Sequence, residues 1–404
     1  MRNATIKILI LDDEPFMFKL LVRMLENLGY LSVFACASGE AALKLIDDPK
    51  QRPELILLDI NMPGMDGLEF VRHLVGRHYT GSIILISGED ERMQEAAEKL
   101  ARAHKITVLG HLHKPASPEG LAALIEKSAL ASREIHQTTK KAYSKDELRA
   151  AINDGELVNY YQPKVIAATG RVMGVEALVR WHHPQDGIVL PEQFISLAEE
   201  SGLIDDLTQV VLTNAFAQSK LWQEAGVMLH MAINLSMDNL ASLGFLDLIV
   251  DLASKAGVPP QMVIFEVTES RLVEDLRTPL EILSRLRLKR FRVSIDDFGI
   301  GHSSLAQLRD MPFDELKIDQ SFVHGAHNNE KLWAMFDSCL NLGRQLRMDV
   351  TAEGIEDRAD WDFVRGRACD IAQGFFIAKP MPAADIPAWI ESWHHTYPHS
   401  NKRI

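Results

Sequence analysis

Seven short runs of apolar and β-branched residues each end in a side chain that carries a carboxylate, an amide or an ammonium group. These side chains belong to Glu176, Asn234, Glu266, the pair Asp296 and Asp297, Lys317, Glu353 and Gln373. They follow one another at steps of roughly 20 to 60 residues, as strand and helix units repeat. The spacing predicts a barrel of alternating strands and helices in the carboxyl-terminal part of the chain.

The position of the polar residues predicts a site as well as a fold. A parallel strand that is buried on both faces reads as an apolar run, so a charge is expected where the strand emerges at its carboxyl-terminal end. A single acid at such a place is usually a helix cap. Seven polar groups in register predict one shared site at the rim of the barrel.

Length, composition and charge limit the classes of protein. The chain has 404 residues, of which 47% are hydrophobic and 25% charged, as expected for two folded domains. A net charge of −13 disfavours a DNA-binding surface.

The first apolar run stops at Asp12, Asp13 and Glu14, and no run approaches the roughly 18 residues of a membrane span, so we expect a cytoplasmic protein. The three cysteines have no metal-binding or redox spacing and are expected to be reduced thiols.

From Lys7 to about Lys127, strands and helices alternate, with five strands, which predicts a doubly wound α/β sheet. Polar residues again follow the strands: Asp12, Asp13, Asp59, Ser87 and Lys114. Ligands of such sheets bind at the carboxyl ends of the strands. Three converging carboxylates would suit Mg²⁺, which leaves room for a phosphoryl group that the lysine would neutralise. The alternative is a sheet edge with capping acids and one solvated lysine.

Four motifs in this part, at residues 9–15, 57–67, 85–87 and 113–115, resemble the receiver domains of two-component response regulators. The resemblance implies that Asp59 is the phospho-acceptor and that a sensor histidine kinase is the partner. The other implied roles are Mg²⁺ binding by Asp12, Asp13, Asp59 and the Asn61 carbonyl, a switch hydroxyl on Ser87, and a counter-charge on Lys114. A cis bond before Pro115 is also implied. Receivers usually carry Tyr or Phe where this chain has His111, which puts ring switching in doubt.

In the larger part, hard oxygen ligands predominate. Glu176, Asn234, Glu266 and Asp296 could converge on one divalent ion, while Asp296, Asp297 and Glu353 could hold a second. Carboxylates and an amide, without cysteine, favour Mg²⁺ or Mn²⁺ over zinc. Such an ion pair is a recurring device for phosphodiester hydrolysis.

Seven motifs in this part also resemble the EAL-domain phosphodiesterases, over about residues 147–395. They lie at residues 176–181, 234–236, 265–270, 296–304, 316–319, 352–356 and 372–382. The resemblance implies a modified TIM (β/α)8 barrel that hydrolyses cyclic di-GMP to pGpG with two Mg²⁺ or Mn²⁺ ions and is inhibited by Ca²⁺. It also implies that EAL domains pair, so a homo-oligomer is expected.

The resemblance assigns roles to individual residues. The implied metal ligands are Glu176, Asn234, Glu266, Asp296, Asp297 and Glu353. Lys317, Glu353, Asp297 and Gln373 are implied in catalysis, and Glu269 as the anchor of the loop after Asp297. The implied substrate groove contains Gln162, Arg180, Asp319, Glu356 and Pro380. Ile300 and His302 depart from the usual residues of that loop.

The predicted organisation is a receiver at 1–128, a helical linker at 129–146, the barrel at 147–395 and a flexible tail at 396–404. The main alternative function is a catalytically silent receptor that binds cyclic di-GMP and changes partners. A more remote alternative is a metal-dependent barrel enzyme acting on carbon acids. Metal-dependent turnover separates the hydrolase from the silent receptor, and an enzyme acting on carbon acids would have a Lys or His base at the rim and no phosphate-facing Arg180. The sign of the phosphorylation effect does not follow from the sequence.

Overall fold

The computed structural model describes residues 6–77, 79–88, 97–102, 104, 106–125, 143–241, 243–269, 277–300 and 305–397. The chain divides into two compact units, Met1–Lys140 and Lys141–Ile404. Most of the predicted linker, residues 129–146, and most of the predicted tail lie outside the described residues. The domain boundaries given above therefore stay predictions.

The amino-terminal unit is the predicted doubly wound sheet. Its elements are β1 (Ile8–Leu11), α1 (Pro15–Asn27), β2 (Val33–Cys36), α2 (Gly39–Asp47), β3 (Leu55–Asp59), α3 (Gly67–Gly76), β4 (Ser82–Ser87), α4 (97–102), β5 (Thr107–His113) and α5 (118–125). The strands are parallel in the order β2-β1-β3-β4-β5. Successive residues of β1 belong to two different cores, Leu9 to one and Ile8 to the other, because side chains alternate across a strand. This explains why β1 and β3 read as unbroken apolar runs.

The carboxyl-terminal unit contains more elements than a simple barrel. They are α6 (Lys145–Asp154), β6 (Leu157–Ile166), β7 (Val172–His183), β8 (Gly187–Val189), α7 (Ile195–Ser201), α8 (Ile204–Glu224), β9 (His230–Asn234), α9 (Leu243–Ala256), β10 (Val263–Thr268), α10 (Arg277–Leu288), β11 (Arg292–Phe298), α11 (Leu305–Asp310), β12 (Glu315–Ile318), α12 (Gln320–Val323), α13 (Glu330–Gln345), β13 (Asp349–Ala352), α14 (Arg358–Gly366), β14 (Ile371–Ala372), β15 (Met381–Pro382) and α15 (Ile386–Thr396). Short 3₁₀ turns connect several of them.

Eight of these strands close into a barrel. The order is β6-β14-β13-β12-β11-β10-β9-β7, and β6 pairs with β7 to complete the circle. Strand β6 is antiparallel to both of its neighbours, whereas the pairs from β7 through β9 to β14 are parallel. The short strands β8 and β15 extend the sheet at β7 and β6. The predicted modified barrel is thereby confirmed.

One sequence expectation about the barrel is wrong. Several of the polar residues do not end their strands: Glu176 lies in the middle of β7, and Glu266 lies in the middle of β10. Lys317 lies within β12 and is 1% exposed. Alternate residues of a strand face the barrel interior, and here that inner face carries charge below the rim. Among the described residues, no helix has the length and apolarity that a membrane span requires.

Candidate functional site

Lys317 lies at the centre of a group of carboxylates inside the barrel. Its Nζ atom is 2.8 Å from Glu266 Oε2, 2.9 Å from Asp296 Oδ1, 2.8 Å from Glu353 Oε1 and 3.8 Å from Glu176 Oε2. The four acids come from β7, β10, β11 and the position directly after β13, so the closure of the barrel brings together residues that are far apart in sequence. We call this group the barrel site.

Two predicted amide residues, Asn234 and Gln373, form hydrogen bonds with Glu176. Asn234 Nδ2 donates a hydrogen bond of 2.7 Å to Glu176 Oε1. Gln373 Nε2 donates to Glu176 Oε2 at 2.6 Å and to Gln162 Oε1 at 3.0 Å. Gln162 and Glu176 are also directly opposite each other in the β6–β7 pair. Strand register therefore holds Glu176 between two amide donors.

Asp297 reaches the site because the backbone of β11 is irregular. Neighbouring residues of a strand normally point to opposite faces, which would separate Asp296 from Asp297. The register of β11 against β12 shifts between Ile295 and Phe298, and Asp297 has a φ of 55°. Aspartate tolerates this left-handed conformation better than most residues. Carboxylate oxygens of Asp296, Asp297 and Glu353 consequently lie within 4.8 Å of one another.

The barrel interior carries an excess of negative charge. Its acids are Glu176, Glu266, Asp296, Asp297, Glu315 and Glu353, and its bases are Lys164 and Lys317. Within the described part of the chain, six carboxylates against two ammonium groups leave four formal negative charges unbalanced. Buried charges are stable only when they are paired or bind cations. The oxygen donors and the charge therefore fit hard divalent cations.

The pKa values of the site reflect this crowding. Burial, followed by the nearby Asp296, raises the pKa of Asp297 to about 6. Burial also raises the pKa of Glu353 well above its usual range, because it outweighs the charge of Lys317. Glu266 behaves in the opposite way. Burial disfavours its charge, but two lysines together outweigh that effect and hold the Glu266 pKa at about 2.

The sequence analysis missed Lys164, a second buried lysine. Its Nζ atom lies 2.6 Å from Glu266 Oε1 and 3.2 Å from Glu315 Oε1, and Thr351 Oγ1 donates to the same Glu315 oxygen at 2.8 Å. Lys164 and Glu315 are 1% and 0% exposed. A lysine inside the strand LVNYYQPKVI and a glutamate at the start of ELKI were the available signals. Charged residues within strands this apolar are rarely buried without partners.

Three of the five predicted substrate residues line a cleft of about 230 Å³. Its lining includes the predicted Gln162, Asp319 and Glu356 together with Phe375, which was not predicted and is 57% exposed. The described part of the lining does not include Arg180 or Pro380. The Arg180 guanidinium donates to its neighbour's carbonyl and lies 5.9 Å from the ring centre of Tyr160. Asp319 also caps α12 by accepting from the N–H of Ser321.

Glu269 holds the loop that follows β11. Its Oε2 atom accepts a hydrogen bond of 2.8 Å from the N–H of Gly299, and its side chain is buried. Gly299 has a φ of 106°, and a Cβ there would lie 2.2 Å from Phe322 Cε2. Glycine is therefore required at the turn. Ile300 is exposed, and His302 lies outside the described residues.

The amino-terminal unit has a second lysine and carboxylate group at the carboxyl ends of β1, β3 and β5. Lys114 Nζ lies 2.6 Å from Asp59 Oδ2, 3.0 Å from Asp12 Oδ2 and 3.2 Å from Glu14 Oε1. Carboxylate oxygens of Asp12, Asp13 and Asp59 lie within 4.8 Å of one another. The contact with Glu14 was not predicted. The Lys114–Pro115 peptide bond is cis, as predicted.

The pKa values of Asp59 and Lys114 are both raised, but for different reasons. Burial raises the pKa of Asp59 even though Lys114 and the N–H of Asn61 donate hydrogen bonds to its carboxylate. Burial opposes the charge of Lys114, but its hydrogen bonds to Asp59 and Asp12 outweigh this and raise its pKa. Ser87 ends β4 and is buried. His111 lies in β5, and its ring is half-buried and 3.6 Å from Glu98 Oε2.

Comparison with protein families gives two matches. Residues 145–380 match the model of the EAL domain, and residues 8–126 match the model of the response regulator receiver domain. The order of the two matches agrees with the two units of the structure.

Individual relatives show the same relationship. The chain is 30% identical to the cyclic di-GMP phosphodiesterase RocR of Pseudomonas aeruginosa over 379 residues, which cover 93% of this chain and 96% of RocR. It is 40% identical over 243 residues to MucR of the same organism, a bifunctional diguanylate cyclase and cyclic di-GMP phosphodiesterase. That match covers 60% of this chain and 36% of MucR.

Solved structures resemble the carboxyl-terminal unit. The PaMucR phosphodiesterase in complex with c-di-GMP is 39% identical, with a TM-score of 0.57, and the match covers 60% of this chain and 98% of that one. An EAL domain protein from Listeria monocytogenes is 28% identical, with a TM-score of 0.55 and coverages of 61% and 97%.

Proposed function

Since the chain belongs to the EAL family and carries a receiver domain before its EAL domain, we propose that it hydrolyses cyclic di-GMP to pGpG under the control of phosphorylation at Asp59. The observation that carries this proposal is the barrel site. There Lys317 contacts three carboxylates within 2.9 Å, in a barrel interior with excess negative charge. Support also comes from RocR, which is named as a cyclic di-GMP phosphodiesterase and is matched over 96% of its length.

The proposed cofactors are two Mg²⁺ or Mn²⁺ ions. One would be held by Glu176, Asn234, Glu266 and Asp296, and the other by Asp296, Asp297 and Glu353. Bound there, the ions would stabilise the attacking and leaving oxygens and lower the pKa of a water molecule. Ca²⁺ is expected to inhibit, because it is larger and takes more oxygen ligands with looser geometry.

The chain's own residues complete the reaction. In the hydrolysis a water oxygen forms a bond to phosphorus, one P–O3′ bond breaks, and the leaving oxygen takes a proton to become the 3′-hydroxyl of pGpG. The Lys317 ammonium would offset the negative charge that develops on the phosphoryl oxygens. Glu353, which lies 2.8 Å from Lys317, or its neighbour Asp297 would take up the proton that the water loses. Gln373 would keep Glu176 in position through its 2.6 Å hydrogen bond.

The substrate would bind through phosphate and base contacts. The guanidinium of Arg180 suits a phosphate oxygen. Phe375 lines the cleft with an exposed ring, on which a guanine base could stack. Gln162, Asp319, Glu356 and Pro380 would supply the remaining contacts, of which Glu356 is exposed for hydrogen bonding.

The receiver is proposed to take a phosphoryl group from a sensor histidine kinase. Asp59 would accept it, with one Mg²⁺ held by Asp12, Asp13, Asp59 and the Asn61 carbonyl. Lys114 would neutralise charge on the phosphoryl group, and Ser87 and His111 would respond to it. We further propose that the chain acts as a homo-oligomer.

Turnover measured by chromatography tests the proposed activity. Purified protein with Mg²⁺ or Mn²⁺ should convert cyclic di-GMP to pGpG, with and without a small phosphodonor, and chelation of the metal should stop the conversion. Binding of cyclic di-GMP without release of pGpG over hours would instead support the catalytically silent receptor.

A further inference from the structure

The two carboxylate oxygens of Glu266 have different partners. Oε2 lies 2.8 Å from Lys317, the lysine that also contacts Asp296 and Glu353, so this oxygen faces the barrel site. Oε1 lies 2.6 Å from Lys164, which is outside that group of acids. Each oxygen of Glu266 is therefore held by a separate ammonium group.

Strand residues hold Lys164 in place from its other side. Glu315 Oε1 lies 3.2 Å from Lys164 Nζ and accepts a 2.8 Å hydrogen bond from Thr351 Oγ1. Glu315 begins β12 and Thr351 lies in β13, and both side chains are fully buried. Groups on paired strands are held more firmly than groups on loops. Lys164 is thus fixed before any ligand binds.

The geometry of Glu266 bears on which ion can bind. Ca²⁺ takes six to eight oxygen ligands and accepts carboxylates through both oxygens, whereas Mg²⁺ requires a near-ideal octahedron and keeps several waters. An oxygen in a short hydrogen bond to an ammonium group is not available to a metal ion without breaking that bond. Both oxygens of Glu266 carry such a bond, but they differ in what their release leaves behind. A metal ion that takes Oε2 leaves Lys317 with Asp296 at 2.9 Å and Glu353 at 2.8 Å, whereas an ion that takes Oε1 leaves Lys164 with only Glu315, at 3.2 Å, among the described residues. The second oxygen of Glu266 is therefore released at the greater cost.

We propose that Lys164 is a positioning residue that confines Glu266 to one-oxygen coordination and thereby favours Mg²⁺ and Mn²⁺ over Ca²⁺ at the barrel site. This inference rests on the proposed metal-dependent function. Lys164 does not touch the substrate in this role and acts only through Glu266.

The test removes Lys164 without leaving Glu315 unpaired. A single Lys164→Met variant would bury an uncompensated carboxylate and could fail to fold, so the informative variant is Lys164→Met combined with Glu315→Met. This double variant replaces a neutral ion pair with two apolar side chains of similar length. The matched control is Glu315→Met alone, in which the contact between Lys164 and Glu266 remains.

The measurement is the ratio of Ca²⁺ to Mn²⁺ affinity, obtained by following free Mn²⁺ with electron paramagnetic resonance while Ca²⁺ competes. Both ions carry two charges, so a change in nearby charge or in fold stability affects them equally and cancels in the ratio. The double variant should shift the ratio toward Ca²⁺ by at least about ten-fold, the lower end of what partners of metal ligands contribute. The Glu315→Met control should keep the ratio within about two-fold of the unmodified chain, well below that range.

The possible outcomes distinguish a failure of the proposed role of Lys164 from a failure of the proposed metal-dependent function. An unchanged ratio in the double variant, or an equal shift in the control, would overturn the role of Lys164. The receiver site is the same in all variants, and loss of Mn²⁺ in a Glu176→Ala variant assigns the barrel ions. If Glu176→Ala bound as much Mn²⁺ as the unmodified chain, the proposed barrel metal site itself would fail.

Discussion

The two units of this chain each surround one lysine with carboxylates, but the two lysines lie at different depths. In the receiver, Lys114 and its acids lie at the edge of an open sheet, and the lysine side chain is 14% exposed. In the barrel, Lys317 is 1% exposed and its acids come from strands that close around it. In the first arrangement Lys114 has one well-exposed partner, Glu14, whereas the four acids around Lys317 are at most 17% exposed.

This difference in depth suits two kinds of chemistry. An aspartate that takes a phosphoryl group from another protein has to lie where that protein can reach it, and Asp59, although itself 1% exposed, stands at the carboxyl-terminal edge of the sheet. Hydrolysis benefits from an enclosed site, because electrostatic interactions are stronger where water is excluded. The comparison predicts that changes in the receiver affect labelling and leave turnover without phosphodonor unchanged, while changes in the barrel affect turnover itself.

The largest expected effect is complete loss of phosphorylation in Asp59→Asn. An amide cannot form the acyl phosphate, so a small phosphodonor with Mg²⁺ should label the unmodified chain and not the variant, as read by phosphate-affinity electrophoresis. Turnover of cyclic di-GMP in the absence of phosphodonor should be unchanged.

A control at an exposed acid of the same unit is Glu69→Gln, whose carboxylate contacts only Arg72 among the described residues. This variant should be labelled normally. Labelling that persists in Asp59→Asn would show that another residue accepts the phosphoryl group.

The next largest effect is expected for Lys317→Ala. Loss of a buried cation that stabilises developing charge should lower kcat by about 10²- to 10³-fold. Binding of cyclic di-GMP, measured by titration with the inhibitory ion Ca²⁺ present, should change by only a few fold. Steady-state kinetics separates the two quantities.

Lys255→Ala provides the control for this change. Lys255 is an exposed lysine of α9 whose partner is Asp251, one helical turn away. Such surface pairs contribute little, so kcat should be unchanged. An equal loss of binding and turnover in Lys317→Ala would contradict the proposed catalytic role of that lysine.

The sequence predicted the members of both sites better than their depth. Polar residues after apolar runs identified the acids around Lys317 and, apart from Glu14, those around Lys114, because the period of strand and helix units is visible in one chain. The same reasoning placed Glu266 at a strand end, whereas it lies within β10. Burial of a charge depends on partners from other strands, and sequence patterns carry no information about those partners.

Two further features depended on the three-dimensional structure. Lys164 is 102 residues from Glu266, and only the antiparallel β6 brings it beneath the site. Asp297 lies close to Asp296 and Glu353 because the register shifts between β11 and β12, and the alternation of side chains along a strand does not predict such a shift. By contrast, the amino-terminal sheet matched its prediction in strand number, because its strands read as short apolar runs, of which β1 and β3 are buried on both faces.

A smaller effect, of about ten-fold on turnover, is expected for Glu269→Ala. The N–H of Gly299 would lose its acceptor, and the loop after Asp297 would lose its anchor. Partners of this kind typically change activity or metal affinity by about 10- to 100-fold. Mn²⁺ affinity should stay constant, because Glu269 is not a proposed ligand.

Glu269→Gln is the matched variant, since its side-chain carbonyl can still accept from the Gly299 N–H. It should retain most of the turnover. If Glu269→Ala were fully active, or if the glutamine variant were as impaired as the alanine variant, the hydrogen bond to the loop would have no functional role.

The smallest expected effect is on the free energy of unfolding. Asp297 of the barrel site should make this free energy depend on pH. The pKa of Asp297 is about 6 in the folded chain, against about 4 for an ordinary aspartate. Between those values the folded state binds a proton more tightly than the unfolded state, so metal-free protein should gain stability as pH falls from 7 to 5. Because Asp297 is partly exposed, the gain should be limited to about 1 kcal/mol, or about 2–4 °C in Tm for a unit of this size.

The contribution of Asp297 is obtained as the difference between the unmodified chain and Asp297→Asn, which cannot take up that proton. Calorimetry at pH 7 and pH 5 should show the gain in the former and a smaller one in the latter, because Asp59 and the histidines are common to both. With saturating Mg²⁺ the sign should reverse, since protons compete with the ion for the same carboxylate. If the two chains responded identically to pH, with and without Mg²⁺, the pKa of Asp297 would not be raised by its neighbours and Asp297 would not be a metal ligand.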